Sequence, residues 1–579
     1  MINEAHNRVF LNQVDGKWLV FKNPVEILQT DDVSGVLALL LKIESRIAEG
    51  FHAAGFLSYE AAPAFDPALK VHQSSGFPLL WFGIYRKPVI DYLPQIKDGF
   101  QYDPIWDPVM GQDEYNSALA RIKDYILSGD TYQVNFTFRM RSRMTCDPLM
   151  TFLSVQEYHP MPFSAYIDTG KHVICSFSPE LFFRLDDNRI STRPMKGTAP
   201  RGRFIAEDRR NAEILHNSEK DRAENIMIVD MLRNDLGRIA KFNTVEVSDI
   251  FRVEQYQSVL QMTSTVSALT EAPISGIFKA LFPCASVTGA PKVRTMDIIK
   301  ELETSPRKIY CGAIGYISPP RKAVFNVAIR TLLIDNETGI SEYGTGSGIV
   351  WDSAAGSEYE ECLRKTEIIT RKTAPFDLIE TIRWSPEEGY FLFDRHIKRL
   401  SDSIRYFGFH ADVSVIKEYI QGITADFGNN SLRVRVQVNR EGKLSHSVMV
   451  LNKPTCERRI KLGISGIPVD SSDPFLFHKT TRRSVYTEAL ENCPGCDDAI
   501  LWNERGEVTE TTIGNIVIEA DGRYLTPAVQ CGLLGGTFRE EMICRGKITE
   551  TIITLDMLKS CDNIFRINSI RGWERAVLA

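Results

Sequence analysis

A lysine between two prolines is the residue of this chain best suited to covalent chemistry. Lys196 lies in the sequence RPMKGTAPRG at 193–202, directly after a strand-like run at 188–192. The prolines and glycines around it predict a tight turn. Such a lysine can act as a nucleophile when it is neutral, although a lysine seen alone is usually a solvated surface residue. The rest of the sequence must therefore show whether other reactive groups come to the same place.

Two pairs of acidic residues follow at helical spacing. Asp221 and Glu224 open a predicted amphipathic helix at 221–232, and Glu358 and Glu361 repeat the spacing further along the chain. Residues three apart project from one helix face. Two facing pairs of carboxylates repel each other unless a cation lies between them, and Mg²⁺ prefers such oxygen ligands. The sequence therefore predicts a magnesium site, with two solvated acidic helix faces as the alternative.

Two glycine-rich segments could bring backbone N–H groups close to an anion. The first is YGTGSGIV at 343–350, just before the second acidic pair, and the second is SVTGAPK at 286–292, before a predicted helix. Alternating glycines let a ligand approach the backbone closely, and a helix N-terminus attracts negative charge. Either segment would also serve as a plain turn, so each supports a site only together with Lys196 and the acidic pairs.

The composition that must carry these residues is that of a soluble globular protein. The chain has 579 residues, 43% of them hydrophobic and 25% charged, which predicts roughly two to four domains. A net charge of -6 without a basic stripe argues against a nucleic-acid partner. The N-terminal residues lack a signal-peptide pattern, and no run of about 18 apolar residues predicts a membrane helix. Eleven scattered cysteines suit a reducing cytoplasm.

A domain boundary is predicted near residue 372, where a polar helical run gives way to a proline and a strand-like run at 376–382. The predicted domains are therefore 1–372 and 373–579. The clearest predicted elements of the first domain are one strand and two helices, at 79–85, 113–127 and 219–236. Strands and helices come in runs without strict alternation, so the predicted fold class is α+β.

Taken together, these segments resemble the chorismate-utilising enzymes over residues 110–370, with weaker similarity at 55–60. The matching segments occur in the order of that family: SPE at 178–180, the Lys196 segment, DRAE at 221–224, SVTGAPK at 286–292, IRT at 329–331, GTGSGIV at 344–350 and EYEE at 358–361. The resemblance implies a β-sandwich with flanking helices and a chorismate substrate.

The resemblance also implies roles for individual residues. The metal Mg²⁺ would be bound by Glu224, Glu358 and Glu361, with Asp221 in support. The substrate would be held by Thr288, Tyr310, Arg330, Gly346, Gly348 and Lys365. Lys196 would attack C2 of chorismate while Glu180 protonates the departing C4 oxygen, and ammonia would then enter at C4 and expel the lysine. Because Lys196 must be neutral to attack, we expect burial or nearby cations to lower its pKa.

Two positions distinguish the branches of this family, and a third position departs from many of its members. Members that add water to chorismate use a lysine base at the position of Gln133, and a glutamine cannot serve as that base. Anthranilate synthases carry alanine where this chain has Lys196, whereas aminodeoxychorismate synthases carry lysine. Both positions favour amination at C4. Many relatives have a histidine near the reacting hydroxyl, and the matching position here is Gln261.

From residue 376 onward the chain resembles the fold-type IV pyridoxal-phosphate (PLP) enzymes, which include aminodeoxychorismate lyase and branched-chain and D-amino-acid aminotransferases. The matching segments again run in family order: DRHIKRL at 394–400, FHKTTR at 477–482, EVTETTIGN at 507–515 and GLLGGT at 532–537. The resemblance implies a two-subdomain α+β domain. Lys479 would bond to the cofactor aldehyde and move protons, and Glu510 would pair with the ring nitrogen. The phosphate would be held by Arg399, Gly514, Gly536 and Thr537.

The two resemblances together imply one reaction sequence. The first half would convert chorismate and ammonia to 4-amino-4-deoxychorismate, and the second would eliminate pyruvate to give 4-aminobenzoate, the aryl unit of folate. No segment resembles a class I glutaminase, so a separate glutaminase subunit is the expected partner. By analogy with fold-type IV enzymes, a homodimer through the PLP domain is expected.

Three alternatives stay open at this point. The first is an anthranilate synthase component I fused to a class IV aminotransferase. The second keeps the synthase and makes the C-terminal half a cofactor-free docking module for the glutaminase. The third is a scaffold protein without catalytic activity.

Overall fold

The protein was analysed as a computed structural model that describes residues 6–12, 17–74, 76–94, 96, 104–144, 146–257, 259–370, 375–451 and 459–579, except for the side chains of 425 and 426. Its contacts group the chain into two units. The N-terminal unit comprises Met1–Pro200 and Ala212–Thr373, and the C-terminal unit comprises Arg201–Asn211 and Ala374–Ala579. The predicted boundary between 372 and 373 lies outside the described residues. Arg201–Asn211 departs from the predicted domain ranges, because it belongs to the C-terminal unit.

Two large sheets form the N-terminal unit, and within the described residues each has ten strands. The first sheet contains Arg8–Asn12, Trp18–Phe21, Val89–Asp91, Asp107–Pro108, Gln133–Arg143, Phe163–Asp168, His172–Ser178, Gly289–Ala290, Thr331–Asp335 and Ile340–Ile349. The second contains Glu26–Thr30, His52–Leu57, Leu80–Tyr85, Leu181–Asp186, Arg189–Arg193, Met195–Pro200, Glu246–Gln255, Val259–Leu269, Ala313–Ser318 and Lys322–Val327. All neighbouring strands in both sheets run antiparallel.

The two sheets pack face to face around a common core. Val9 and Ile167 of the first sheet and Phe56 and Trp81 of the second belong to one buried cluster. Two further clusters join the outer faces of the sheets to helices. The helices of this unit are Val33–Ala48, Gln112–Leu127, Pro148–Tyr158, Glu219–Gly237, Ile274–Leu281, Lys292–Leu302, Ala355–Arg364 and Glu367–Thr370, together with the second half of Ile205–Asn217. The predicted α+β sandwich with flanking helices is confirmed.

Local sequence explains where the main helices begin. The Ser218 side chain accepts a hydrogen bond from the Asp221 N–H, which caps the helix Glu219–Gly237. In the helix Val33–Ala48 the buried positions recur at helical spacing and face the core. The predicted helices at 113–127 and 219–236 and the predicted strand at 79–85 each agree with the observed element to within one residue.

The segment that carries Lys196 is a strand rather than the predicted tight turn. Met195–Pro200 pairs with Val259–Leu269, and its register shifts between Met195 and Thr198. Gly197 lies at this irregularity with a φ of 86°, a conformation that glycine adopts without strain. The proline and glycine pattern therefore marks a β-bulge, which re-aims a side chain without ending the strand.

Most of the glycine-rich segment 343–350 is also part of a strand, so the alternative of a plain turn was wrong, and its contact with an anion stays a prediction. This part belongs to Ile340–Ile349, which pairs along its whole length with Gln133–Arg143. Its glycines allow close packing: a Cβ on Gly344 would lie 2.2 Å from the Tyr310 ring. The other glycine-rich segment, at 286–292, does lead into a helix, Lys292–Leu302.

The C-terminal unit contains two sheets, which agrees with a two-subdomain domain. The smaller has four described strands: Leu378–Ser385, Gly389–Tyr390, Leu432–Val438 and Leu444–Val450. The larger has eight described strands: Ile460–Ile464, Asp498–Trp502, Val508–Thr511, Asn515–Ala520, Arg523–Pro527, Thr549–Thr551, Asn563–Asn568 and Gly572–Leu578. The helices are Phe393–Phe407, Val413–Gly422, Ser484–Glu491, Thr537–Cys544 and Leu555–Ser560, together with the start of Ile205–Asn217.

Candidate active sites

The backbone around Lys196 is fixed by contacts with a neighbouring strand and helix. The Gln261 side chain donates a hydrogen bond to the Gly197 carbonyl oxygen (2.8 Å) and accepts one from the Thr198 hydroxyl (3.0 Å). A Cβ on Gly197 would lie only 2.9 Å from the Asp221 side chain. Gln261 therefore holds the bulge that presents Lys196.

The amine of Lys196 lies beside a buried glutamine and a glycine. A Cβ on Gly348 would lie 2.4 Å from Gln133 Nε2 and 3.0 Å from Lys196 Nζ. The two side chains therefore meet over Gly348, where any larger residue would collide with them. Gln133 is 1% exposed, and its Oε1 has no hydrogen-bond partner among the described residues. This oxygen is available to a ligand in the same place.

The electrostatic environment suits a neutral lysine next to a proton donor. Burial lowers the pKa of Lys196, partly offset by the carboxylates of Glu224 and Glu180, while the nearby Lys365 lowers it further. Burial raises the pKa of Glu180 to about 7, although a hydrogen bond from Ser286 Oγ to its Oε1 (2.6 Å) opposes the rise. Burial therefore favours the neutral amine of Lys196, and Glu180 can carry a proton near neutral pH. The sequence predicted no role for Ser286 beyond its place in the segment 286–292. Its contact with Glu180 depends on the fold, because the two residues are 106 positions apart.

The two acidic pairs lie on the predicted helices and act on one another. Burial raises the pKa of Glu224, which Lys196 partly offsets, and the charges of Asp221 and Glu358 raise it further. Burial would raise the pKa of Glu361, but Lys365, 2.7 Å away, lowers it overall. Among the residues that the structure describes, no group of three or more His, Cys, Asp or Glu is arranged to hold a metal ion. The carboxylates are close enough to repel but are not gathered as ligands.

The predicted substrate-binding residues lie in several elements of the N-terminal unit. Lys365 Nζ donates to the Gly346 carbonyl oxygen (2.9 Å), which ties it to the glycine-rich strand. The fully buried Thr288 follows the buried turn Ala285–Val287, and its hydroxyl donates to the carbonyl oxygens of that turn and of the residue before it. Arg330 has a φ of 51°, and burial lowers its pKa. Lys365 therefore contacts the strand that carries Gly346 and Gly348, whereas Thr288 is held by its own hydrogen bonds.

A buried ionic network that the sequence did not predict supports Tyr310. Arg307 forms an ion pair with Glu303 (2.6 Å), and Glu60 accepts hydrogen bonds from the N–H groups of Arg307 and Lys308. This fixes the chain just before Tyr310, whose ring packs on Gly344. Only the fold brings residues so distant in sequence together. The weak resemblance at 55–60, which ends at Glu60, is the sequence feature that points to this network.

In the C-terminal unit, the backbone around Lys479 is joined to the first strand of the smaller sheet, Leu378–Ser385. The Lys479 carbonyl oxygen accepts a hydrogen bond from the Ile379 N–H (2.9 Å), and Thr480 forms a bridge with Leu378. Burial lowers the pKa of Lys479 to about 8, helped by the charges of Arg399 and Arg483 and opposed by those of Glu380 and Glu510. The predicted Lys479, Arg399 and Glu510 are therefore near enough to influence one another.

Glu510 is held in a buried setting suited to carrying a proton. Its Oε1 accepts hydrogen bonds from the Tyr486 hydroxyl (2.8 Å) and the Leu534 N–H (3.1 Å). Burial raises its pKa to about 7. Tyr486 was not predicted, although it lies one helical turn beyond the Lys479 segment.

An ionic chain connects Arg399 to the start of a helix. Arg399 donates two hydrogen bonds to Glu380 (2.8 and 2.7 Å), and Glu380 also bonds to His396. Burial by itself would raise the pKa of Glu380, but Arg399 and His396 lower it to about 2. His396 Nε2 lies 3.2 Å from the hydroxyl of Thr537, the first residue of the helix Thr537–Cys544. Glu380 and His396 were missed because their role depends on this contact.

Two glycines complete the surroundings of that helix start. A Cβ on Gly536 would lie 2.0 Å from Asn515 Oδ1, and one on Gly514 would lie 2.9 Å from the Arg566 side chain. Neither position therefore has room for a side chain. A cationic side chain, a hydroxyl and a helix N-terminus together suit a phosphate group. This set, with Lys479 and Glu510 nearby, fits the predicted PLP.

Comparison with known proteins relates both units to described families. The pattern of the chorismate binding enzymes matches residues 9–371. The chain belongs to this family. In this chorismate binding enzyme, a second match, to class IV amino-transferases, covers residues 377–577. The class IV domain implies PLP as its cofactor.

The relatives of this chorismate binding enzyme have two different names. Over 278 residues it is 39% identical to aminodeoxychorismate synthase component 1 of Escherichia coli, which covers 48% of this chain and 61% of that protein. Over 351 residues it is 34% identical to anthranilate synthase component 1 of Thermus thermophilus, covering 59% and 72%. The crystal structure of anthranilate synthase component I from Streptococcus pneumoniae has a TM-score of 0.53 and 24% identity, covering 63% of this chain and 90% of that one. This last likeness shows the fold. No helix in the described part of the chain is both long and apolar enough to span a membrane.

Proposed function

We propose that the N-terminal unit converts chorismate and ammonia to 4-amino-4-deoxychorismate and water. The observation that carries this proposal is the pairing of Lys196, whose pKa is lowered, with Glu180, whose pKa is raised to about 7. Chorismate loses hydroxide poorly, so the reaction needs both a neutral nucleophile and an acid for the departing oxygen. Burial favours the uncharged form of both groups, which is the form that each step needs.

The residues support two successive displacements. Lys196 Nζ bonds to C2 of the ring as the C4 hydroxyl leaves with the proton of Glu180, and the lysine loses a proton. Ammonia then bonds to C4 as the bond between Lys196 and C2 breaks, which restores the lysine. The side-chain amide of Gln133, which meets Lys196 over Gly348, can form hydrogen bonds but is too weakly basic to activate water, which favours ammonia as the incoming group.

We expect replacement of Glu180 by glutamine to remove the alkaline limb of the pH profile. In the wild type, Glu180 donates a proton only while protonated, so amination should fall as pH rises through about 7. Towards lower pH, activity should also fall as Lys196 becomes charged. Glu180→Gln should lower the rate by about 10²-fold or more and leave no decline near pH 7. The measurement is the rate of amination with ammonium from pH 5.5 to 9, at a constant concentration of free ammonia.

The exposed Glu246→Gln on the same sheet is the matched control and should keep the wild-type profile. A Glu180→Gln variant with an unchanged alkaline limb would show that another group donates the proton.

We also propose that Mg²⁺ binds Glu224, Glu358 and Glu361, with Asp221 in support. The repulsion that raises the pKa of Glu224 supports a cation here. The described residues form no ready ligand group, so the carboxylates would have to draw together, and the steps above do not depend on the metal. Removal of Mg²⁺ with EDTA should lower amination about tenfold or more, and added Mg²⁺ should restore it. Release of pyruvate from 4-amino-4-deoxychorismate should not change, and full amination in EDTA would refute the metal site.

For the C-terminal unit we propose elimination of pyruvate from 4-amino-4-deoxychorismate to give 4-aminobenzoate. Bound PLP supplies an aldehyde that bonds amines and a ring that accepts electrons. Arg399, Gly514, Gly536 and Thr537 would hold its phosphate, and Glu510 its ring nitrogen. Lys479, with a pKa of about 8, can take the proton from C4 of the substrate at neutral pH. Loss of the enolpyruvyl group at C3 then leaves an aromatic ring.

A second candidate function is supported by the similarity to anthranilate synthase component 1, which would make the C-terminal unit an aminotransferase. Lys196 argues against it, because that branch carries alanine at the matching position. The deciding experiment is mass spectrometry and chromatography of the products that the full chain forms from chorismate, ammonium and PLP. We expect 4-aminobenzoate and pyruvate. Formation of 2-aminobenzoate would refute the proposal.

We propose two partners in addition to these small molecules. The relatives are named as first components, which supports a separate glutaminase subunit that supplies ammonia. A homodimer through the PLP domain and a cytoplasmic location remain predictions.

A further inference from the structure

The segment Arg201–Asn211 lies between residues of the N-terminal unit in sequence but packs within the C-terminal unit. It directly follows the strand Met195–Pro200 that carries Lys196. Neither predicted site includes any of its residues. Its contacts converge on the residues just before Lys479.

A buried ion pair gives this segment its shape. Arg201 donates to both carboxylate oxygens of Asp208 (2.9 and 2.7 Å), and their side chains are 6% and 5% exposed. Asp208 also accepts a hydrogen bond from the Gly202 N–H (2.7 Å). The pair closes residues 201–208 into a compact loop, which removes most of the freedom that a connecting segment would otherwise have.

The loop makes three contacts with Tyr406. The Arg201 guanidinium lies 4.4 Å from the centre of the Tyr406 ring and donates to the Tyr406 carbonyl oxygen (3.1 Å). The Tyr406 hydroxyl donates to the Gly202 carbonyl oxygen (2.8 Å). Tyr406 belongs to the helix Phe393–Phe407, which also carries Arg399.

The same loop fixes His478, the residue before Lys479. His478 Nε2 lies 3.2 Å from the Arg203 carbonyl oxygen, and its Nδ1 lies 2.9 Å from Ser403 Oγ. Burial lowers the pKa of His478 to about 3, so the ring is neutral. A carbonyl oxygen can only accept, so Nε2 carries the proton and Nδ1 accepts from Ser403. The Tyr406 ring stacks on this imidazole at 4.4 Å.

Arg203 and Phe204 hold the neighbouring chain. Arg203 Nη1 donates to the carbonyl oxygens of Ser471 and Gln530 (3.0 Å each), and its guanidinium lies 4.7 Å from the ring centre of Phe477. Phe204 stacks on Phe477 at 5.3 Å. Phe477 and His478, the two residues before Lys479, are therefore both in contact with the loop.

We infer that residues 201–208 are a positioning element for Lys479, so that the PLP site is completed by a segment inserted in the chorismate-binding half of the sequence. The contacts given above join the loop to Tyr406, Ser471, Phe477, His478 and Gln530. The loop acts by fixing the ring of His478 and the backbone that continues into Lys479. The inference rests on the proposed PLP site.

The test uses the full chain with Arg203→Met, which removes two hydrogen bonds to carbonyl groups, the ion pair with Glu207 and the contact of the guanidinium with Phe477. Arg203→Lys keeps a donor and should restore most of the behaviour. Arg209→Met is the matched control, because Arg209 is exposed in the helix Ile205–Asn217, which begins two residues after Arg203. The measurements are the dissociation constant for PLP and the pH midpoint of the visible absorbance of the bound cofactor.

For Arg203→Met we expect the dissociation constant to rise roughly tenfold. The pH midpoint should also shift from the wild-type value, because the absorbance of the bound cofactor depends on the surroundings of the Lys479 nitrogen. If Arg203→Met does not fold, Tyr406→Phe, which removes only the hydroxyl bond to Gly202, should raise the dissociation constant and shift the pH midpoint. Values equal to those of Arg209→Met would overturn the inference. A wild type that binds no PLP through Lys479 would instead overturn the proposed function.

Discussion

Lys196→Ala is expected to lower the formation of 4-amino-4-deoxychorismate by about three orders of magnitude. The reason is the chemistry of the buried pair: without the amine, nothing bonds to C2 as the C4 hydroxyl leaves, and the proton that Glu180 can deliver acts without a nucleophile. Products from chorismate and excess ammonium should be quantified by mass spectrometry, with stopped time points to catch slow turnover.

Two further measurements make this result decisive. Lys322→Ala, an exposed lysine of the same sheet whose side chain is 58% exposed, should behave as the wild type. The C-terminal activity of Lys196→Ala on supplied 4-amino-4-deoxychorismate should also be unchanged, which shows that the chain is folded. If Lys196→Ala still aminates chorismate at C4 at an appreciable rate, the covalent route is wrong.

Lys479→Ala is expected to accumulate 4-amino-4-deoxychorismate from chorismate and ammonium while 4-aminobenzoate falls below detection, a loss of about 10³-fold or more. Lys479 is the only described lysine near both Arg399 and Glu510 whose pKa is lowered to about 8. The purified wild type should be yellow with PLP, and this colour should be lost in the variant.

Lys461→Ala, an exposed lysine in the larger sheet of the same unit, is the matched control and should keep the colour and the release of pyruvate. Continued formation of 4-aminobenzoate by Lys479→Ala would rule out the proposed role of this lysine. A colourless wild type that only aminates chorismate would favour a docking role for the C-terminal unit.

Much of the secondary structure could be predicted because local patterns determine it. The helix Glu219–Gly237 follows from a serine cap and a helical apolar period, and it places Asp221 and Glu224 on one side. The strand Leu80–Tyr85 follows from a short apolar run. The turn predicted at Lys196 and the alternative of a turn at 343–350 were wrong, because glycine and proline signal both turns and strand irregularities. Which of these forms depends on whether a partner strand lies alongside.

By itself, the sequence determined the candidate lysines, the acidic pairs, the α+β class, the membership of the chorismate binding enzymes and the match to class IV amino-transferases, since residue types and short-range order carry that information. Only the tertiary structure decided that Glu180 is buried beside Ser286, that Gln133 meets Lys196 over Gly348, and that Glu380 joins Arg399 to His396. It also assigned Arg201–Asn211 to the C-terminal unit. The pKa of a side chain depends on its burial and on charges from distant parts of the chain, so the chemistry of these sites exists only once the chain has folded.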